Sequence, residues 1–162
     1  MNVENTILVT GGVLTALHAG LLYDFSVDIV PALRSTKGTT HISMMQAINR
    51  KIENPVFFLS FFGPLVLLPW ATVLHWGKPQ FPALLAASII QIVACEGVTM
   101  TRHIPLNHQL AKIDVNRLSE PEADRIRKEF QGPGTPWMRF HTVRTLAAIT
   151  ATAVLFGVCL SK

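Results

Sequence analysis

The stretch that decides the fold runs from Pro55 to Trp76 and reads PVFFLSFFGPLVLLPWATVLHW. It holds no Asp, Glu, Lys or Arg, and it is as long as the roughly 20 apolar residues needed to cross a hydrocarbon core. Asn54 before it is an N-cap residue, Pro55 suits the first helical position, and Gly77 closes the run. A soluble enzyme does not carry such a segment. Three further apolar runs flank it, at about 6–30, 82–102 and 142–160. The chain of 162 residues is 49% hydrophobic and only 15% charged, so these runs dominate its composition. The expectation is an all-α integral membrane four-helix bundle, up-down-up-down, forming one membrane domain over residues 1–162.

The first run reads as a retained span, because Met1 to Asn5 lack the Lys or Arg of a signal peptide and no clean cleavage site follows. Pro31 is expected to end it. Lys and Arg then set the orientation. The connection 31–54 carries Arg34, Lys37, Arg50 and Lys51, and the connection 103–141, with Arg102 at its edge, carries Lys112, Arg117, Arg125, Arg127, Lys128 and Arg139. The opposite side has only Lys78 and Lys162. Both connections are therefore expected in the cytoplasm and both termini outside it, in a bacterial-type inner membrane. The net charge of +4 lies in these loops and forms no basic stripe with interleaved aromatics, so nucleic acid is excluded as a partner. Cys95 and Cys159 both fall in apolar runs and form no C-x-x-C pair.

Two parts of the connections have structure of their own. His41 to Glu53 spaces Ile42, Met45, Ile48, Asn49 and Ile52 by three and four residues, the pattern of a short amphipathic helix lying against the bundle mouth or the headgroups. Ser119-Glu120-Pro121-Glu122 fits a capping box that opens a charged helix through Phe130, before Gly132 to Pro136 turns the chain back.

Ionisable residues inside spans are costly and count as functional candidates. Asp24 and Asp28 lie one turn apart at the inner end of the first span. Glu96, Thr99, His103 and Asn107 recur by three and four along the third, allowing for a bend at Pro105, and His141, Arg144 and Thr145 begin the fourth. Alternating topology brings all three groups to the same side of the membrane. Asp24 or Asp28 could simply pair with Arg144 or Arg102. Glu96 is harder to explain structurally, and Arg144 could hold an anionic or enolate oxygen. His18 reads as an interhelical hydrogen-bonding residue, and His75 as a belt residue beside Trp70 and Trp76. His41, His103 and His141 are candidate ligands for a single iron, copper or zinc ion, although no H-x-x-x-H or E-x-x-H spacing supports one. The small residues Gly11, Gly12, Ala16, Ala19 and Gly20 allow a homo-oligomer, or equally the packing of one protomer.

Tyr23-Asp24 within Gly20 to Pro31, Met45 to Arg50, Asn54-Pro55-Val56-Phe57, Ile104-Pro105-Leu106-Asn107, Leu110-Ala111, and Trp137 followed by His141 to Arg144 together give a family resemblance covering nearly the whole chain. The sequence resembles the anthrone oxygenase-like family of small four-span membrane proteins. For fungal members the resemblance implies oxygenation of a polyketide anthrone to an anthraquinone, while the substrate of bacterial-type members is generally unassigned. Asn49, Asn54, Pro105, Asn107, His141 and Arg144 match the family pattern. His103 departs from it, since bacterial relatives commonly have Asn there, so a mechanism that needs His103 is not shared with them.

The expectation is an oxygenase-like membrane enzyme acting on a hydrophobic aromatic or phenolic small molecule, with dioxygen as co-substrate. Glu96, Asp24 or His141 would remove a proton, and Arg144 and Asn107 would stabilise the enolate. Asp28 completes the catalytic candidates, and Tyr23, Asn49, Asn54 and Trp137 are the substrate-binding ones. This route requires no cofactor, or a single metal ion at most. The alternatives are a binding or interaction protein whose polar cluster only fixes helix register and, ranked last, a small transporter, which would need polar residues along the full depth of the bundle.

Overall fold

The computed structural model describes residues 2–161 and is all-α, with no strand among the described residues. Lys162 lies outside them. Six helices follow one another: α1 Val3–Arg34, α2 Gly38–Ile52, α3 Pro55–Leu74, α4 Phe81–Ala111, α5 Glu120–Gln131 and α6 Pro136–Leu160. Four segments, built on α1, α3, α4 and α6, are long and apolar enough to cross a membrane, which marks an integral membrane protein.

The helices run antiparallel in the ring α1-α3-α4-α6. Against α1, Gly11 faces Leu67 and Leu68 of α3, while His18 meets Phe57 and Phe61. Thr72 on α3 hydrogen-bonds Ser88 on α4, and α6 returns beside both α1 and α4. Lipid offers no hydrophobic drive for this association, so close approach of small residues matters instead. Gly11, Ala19, Ala147, Ala148 and Ala151 are buried between helices in keeping with that. Gly12 and Gly20, by contrast, have open space where a Cβ would sit.

The end of the bundle nearer the termini is packed with Ile7, Leu8, Leu68, Ala71, Leu84, Ala87, Leu155 and Val158. Two helices are longer than a hydrocarbon core requires. At about 1.5 Å per residue, the 32 residues of α1 and the 31 of α4 reach roughly 45–48 Å against a hydrocarbon core of about 30 Å. Their protruding turns meet α2 and α5 in a separate core of Val30, Leu33, Ile42, Met45, Leu110, Ala123 and Trp137. Polar ties close this cap: Gln46 donates to the Leu110 and Ile113 carbonyls at 2.9 Å, and Arg127 donates to the carbonyls of Arg34 and Thr36 at 2.6 and 3.0 Å. His41 lies 2.7 Å from the Gln131 amide oxygen.

Three expected boundaries move. Helix α1 continues past Pro31 to Arg34, α4 passes Pro105 to Ala111, and α6 begins at Pro136 rather than near Thr142. The reason is shared by the two prolines. Each follows a π-helical turn, Phe25–Ile29 before Pro31 and Thr99–His103 before Pro105. In those turns Val30 N–H bonds the Phe25 carbonyl and Ile104 N–H bonds the Thr99 carbonyl. A proline normally ends a helix because its ring strikes the carbonyl four residues back, and a widened turn just ahead relieves that clash. The capping box forms as expected, with Ser119 N–H donating to the Glu122 carboxylate at 3.0 Å. Asn54 caps α3 by accepting from Val56 and Phe57 N–H at 3.1 and 3.0 Å. Gly134, with φ of +77°, makes the turn between α5 and α6 in a conformation that disfavours a side chain.

Candidate active site in the bundle mouth

A cavity of about 420 Å³ opens between α1, α2, α3 and α4, with Trp137 and Arg144 of α6 at its floor. That size suits a drug-sized organic molecule. One wall is four phenylalanines of α3, Phe57, Phe58, Phe61 and Phe62, with Phe57 and Phe61 stacked at 5.5 Å. Opposite stand Met100, Ile104 and Asn107 of α4, and α2 covers the mouth with Met45, Ile48 and Asn49. Helices α3 and α4 pack closely near Thr72 and Ser88 and diverge toward the mouth. Along that gap Phe58, Phe62, Met100 and Ile104 line the cavity while 40–47% exposed, so it is open toward the bilayer.

The polar groups gather at the floor. Arg144 donates from Nε and Nη2 to Nδ1 of His141 at 3.3 and 3.2 Å, and from Nη1 to Thr99 Oγ1 at 3.3 Å. No carboxylate pairs with Arg144 among the described residues. A guanidinium offers five N–H donors, so some remain uncommitted beside the cavity. His141 is held from both sides. Ser26 Oγ donates to the Leu22 carbonyl at 2.9 Å and lies 2.8 Å from His141 Nε2. The hydroxyl proton is thus spent, which makes Nε2 the protonated nitrogen and Nδ1 the acceptor facing Arg144.

His103 is different. It is buried at 1% exposure, lines the cavity, and has no hydrogen-bond partner at either ring nitrogen. The Phe140 carbonyl approaches the ring without completing a hydrogen bond. Trp137 packs edge-on at 4.9 Å and His141 at 6.1 Å, within an aromatic box that Phe25 completes. A second chain crosses the mouth: Trp137 Nε1 donates to Asn107 Oδ1 at 2.9 Å, and Asn107 Nδ2 donates to Asn49 Oδ1 at 3.2 Å.

The sequence candidates therefore separate. Arg144, Asn107, Asn49, Trp137 and His103 line one cavity, and His141 supports its floor. Asp24, Asp28 and Tyr23 do not join them. All three are exposed on the far side of α1, Tyr23 at 55%, and Asp24 borders a shallow groove with Val13, Leu17 and Phe156. Leu22, Phe25 and Ser26 occupy the inward face instead, so no ion pair links Asp24 or Asp28 to Arg144 or Arg102. Arg102 lies over the Phe140 ring. Asn54 lies outside the cavity lining, and its side-chain groups serve the turn into α3. Glu96 is fully buried at the deep end, where Gln91 donates to its Oε1 at 2.8 Å and His18 Nδ1 lies 3.5 Å away. His41, His103 and His141 do not converge, since His41 is engaged by Gln131 in the cap. The signal for His103 is present in its four-residue spacing to both Thr99 and Asn107. Its lack of a partner is visible only in three dimensions.

No curated protein and no solved structure matches the chain. The anthrone oxygenase family model matches residues 57–154, which takes in the phenylalanine wall, His103, Asn107, Trp137, His141 and Arg144. With the model spanning more than half of the sequence and the whole floor of the cavity, the chain belongs to the anthrone oxygenase family.

Proposed function

We propose that the protein is a membrane oxygenase-like enzyme that converts an activated CH₂ of a hydrophobic, anthrone-like phenolic substrate to a carbonyl with dioxygen. The observation that carries this reading is the pairing, in one apolar cavity, of a partnerless buried imidazole, His103, with a guanidinium, Arg144, that has no carboxylate partner. A charge left unpaired in a low-dielectric site is stabilised by an arriving anion.

Substrate enters from the bilayer between α3 and α4 and lies against the phenylalanine wall. A neutral His103 nitrogen takes the C–H proton, and the enolate oxygen faces Arg144 and the second N–H of Asn107. The enolate carbon passes one electron to dioxygen, and the radical pair joins in a C–O bond. His103 returns its proton to the terminal oxygen of that peroxide. Loss of the second C–H proton with cleavage of the O–O bond leaves the carbonyl and one water, so CH₂ and O₂ become C=O and H₂O. The excess of Lys and Arg in the two connections supports a mouth on the cytoplasmic side.

Oxygen uptake by the detergent-solubilised protein with an anthrone tests the reading, with autoxidation subtracted. One O₂ consumed per anthrone is expected, and His103→Asn should slow turnover by about 10²–10⁴-fold. Protein-independent uptake would overturn the proposal. Unchanged turnover in folded His103→Asn would remove His103 as the base.

A further inference from the structure

We propose that His18, Cys95 and Glu96 form a site for one divalent transition-metal ion of the zinc or ferrous type, at the deep end of the cavity. One imidazole nitrogen, the Cys95 sulfur and a Glu96 carboxylate oxygen lie within 4.8 Å of one another, all three residues buried. Tetrahedral zinc with bonds of about 2.0–2.3 Å spaces its ligands roughly 3.3–3.8 Å apart. The His18 to Glu96 separation of 3.5 Å already meets that. The Cys95 side needs a closure of at most about 1.3 Å, within the range of a rotamer adjustment.

Three observations point to a ligand here and not to a self-contained hydrogen-bonded cluster. Glu96 Oε2 and His18 Nδ1 are buried without a hydrogen-bond partner. Glu96 Oε1 accepts from the Gln91 amide at 2.8 Å and keeps a lone pair on the His18 side, so either carboxylate oxygen can coordinate. Such an outer amide is how proteins orient a ligating carboxylate. Cys95 and Glu96 also sit in the π-helical stretch Ile90–Gly97, a distortion that recurs at functional sites. Charge agrees with geometry. A thiolate, a carboxylate and a neutral imidazole bound to a dication sum to zero, the least costly state in a bundle interior. Thiolate excludes magnesium and calcium, while the mixed N, S, O set suits zinc, ferrous iron or cobalt. Three protein ligands leave a fourth position, and His18 lines the cavity, which supplies an entry path. The site is independent of the His103 and Arg144 reading.

The test uses the full chain without a histidine tag, extracted in mild detergent, stripped with chelator and dialysed against cobalt(II). About one cobalt per chain is expected, with a thiolate-to-cobalt charge-transfer band. The chain has two cysteines, so Cys159→Ser leaves Cys95 as the sole thiol, and the band should persist in it. Cys95→Ser should abolish the band, and Glu96→Gln should weaken binding at least tenfold. Cobalt well below one equivalent, or bound without a thiolate band in both wild type and Cys159→Ser, overturns the proposal. Because the Cys159→Ser spectrum keeps every proposed ligand, the test survives misfolding of the ligand variants.

Discussion

Replacing Arg144 by Leu removes the positive charge on which the proposed enolate depends, while changing little else. An enolate oxygen about 4 Å from the guanidinium, at an effective dielectric near 20, gains roughly 4 kcal/mol. That corresponds to about a thousandfold in rate, in line with the roughly 10²–10³-fold cost of losing one oxyanion donor. The fold has less at stake. Arg144 makes only long hydrogen bonds of 3.2–3.3 Å, Thr99 keeps its own bond to the Cys95 carbonyl at 2.8 Å, and His141 keeps Ser26. The structural cost is an unpartnered His141 Nδ1, on the order of 1–3 kcal/mol. The assay is steady-state oxygen uptake with an anthrone, alongside circular dichroism and a thermal melt in the same detergent. The charge acts mainly on the transition state, so kcat should fall by about 10³ with little change in KM. Arg144→Lys should recover part of the rate, since it restores charge without the planar fork. Full turnover in a folded Arg144→Leu protein would refute the role.

Two further outcomes concern the cap over the mouth. Gly38→Ala should loosen α2 from α5, because the added Cβ would lie 2.4 Å from the Asp124 backbone nitrogen and 2.5 Å from the Ala123 carbonyl carbon. Backbone cannot yield as a side chain can, so a loss of about 1–3 kcal/mol is expected, read as faster proteolysis within residues 112–135. Acid should loosen the same cap. Burial chiefly holds the His41 pKa below its ordinary 6.5, with Arg127 and Arg34 adding repulsion, and the nearby Leu33 carbonyl and the hydrogen bond to Gln131 oppose the shift only in part. A lowered pKa means that the unfolded chain binds the proton more readily, so stability is complete above about 6.5 and declines as the pH falls below it. Protection factors in α2 and α5, with the intrinsic base-catalysed exchange rate divided out, should fall below pH 6.5, and His41→Gln should flatten that dependence.

Much of this molecule is legible in one dimension. Pro55 to Trp76 needs no partner to be recognised, because the hydrocarbon core leaves an apolar segment no alternative to a helix. The amphipathic spacing of Ile42, Met45 and Ile48 and the capping box at Ser119 are equally local, and both form. What failed depended on rotation. Asp24 and Asp28 do share a face toward the cap end of α1, but spacing says which residues lie together and not which way they turn. The neighbours α3 and α6 choose Leu22, Phe25 and Ser26 as the inward face and leave the acids outside. Pro31 and Pro105 are stop signals locally, yet tertiary packing holds the π-helical turns that carry the chain past them.

The four membrane helices, the cap helices and the end of the bundle where polar groups gather can be read along the chain, because they follow from hydrophobic length and near-neighbour chemistry. That His103 is left without a partner, that His141 is committed between Ser26 and Arg144, and that Cys95 meets His18 and Glu96 are outcomes of packing between helices. Those facts depend on which side chains from different helices arrive at the same depth and rotation, and no local pattern along one helix encodes that.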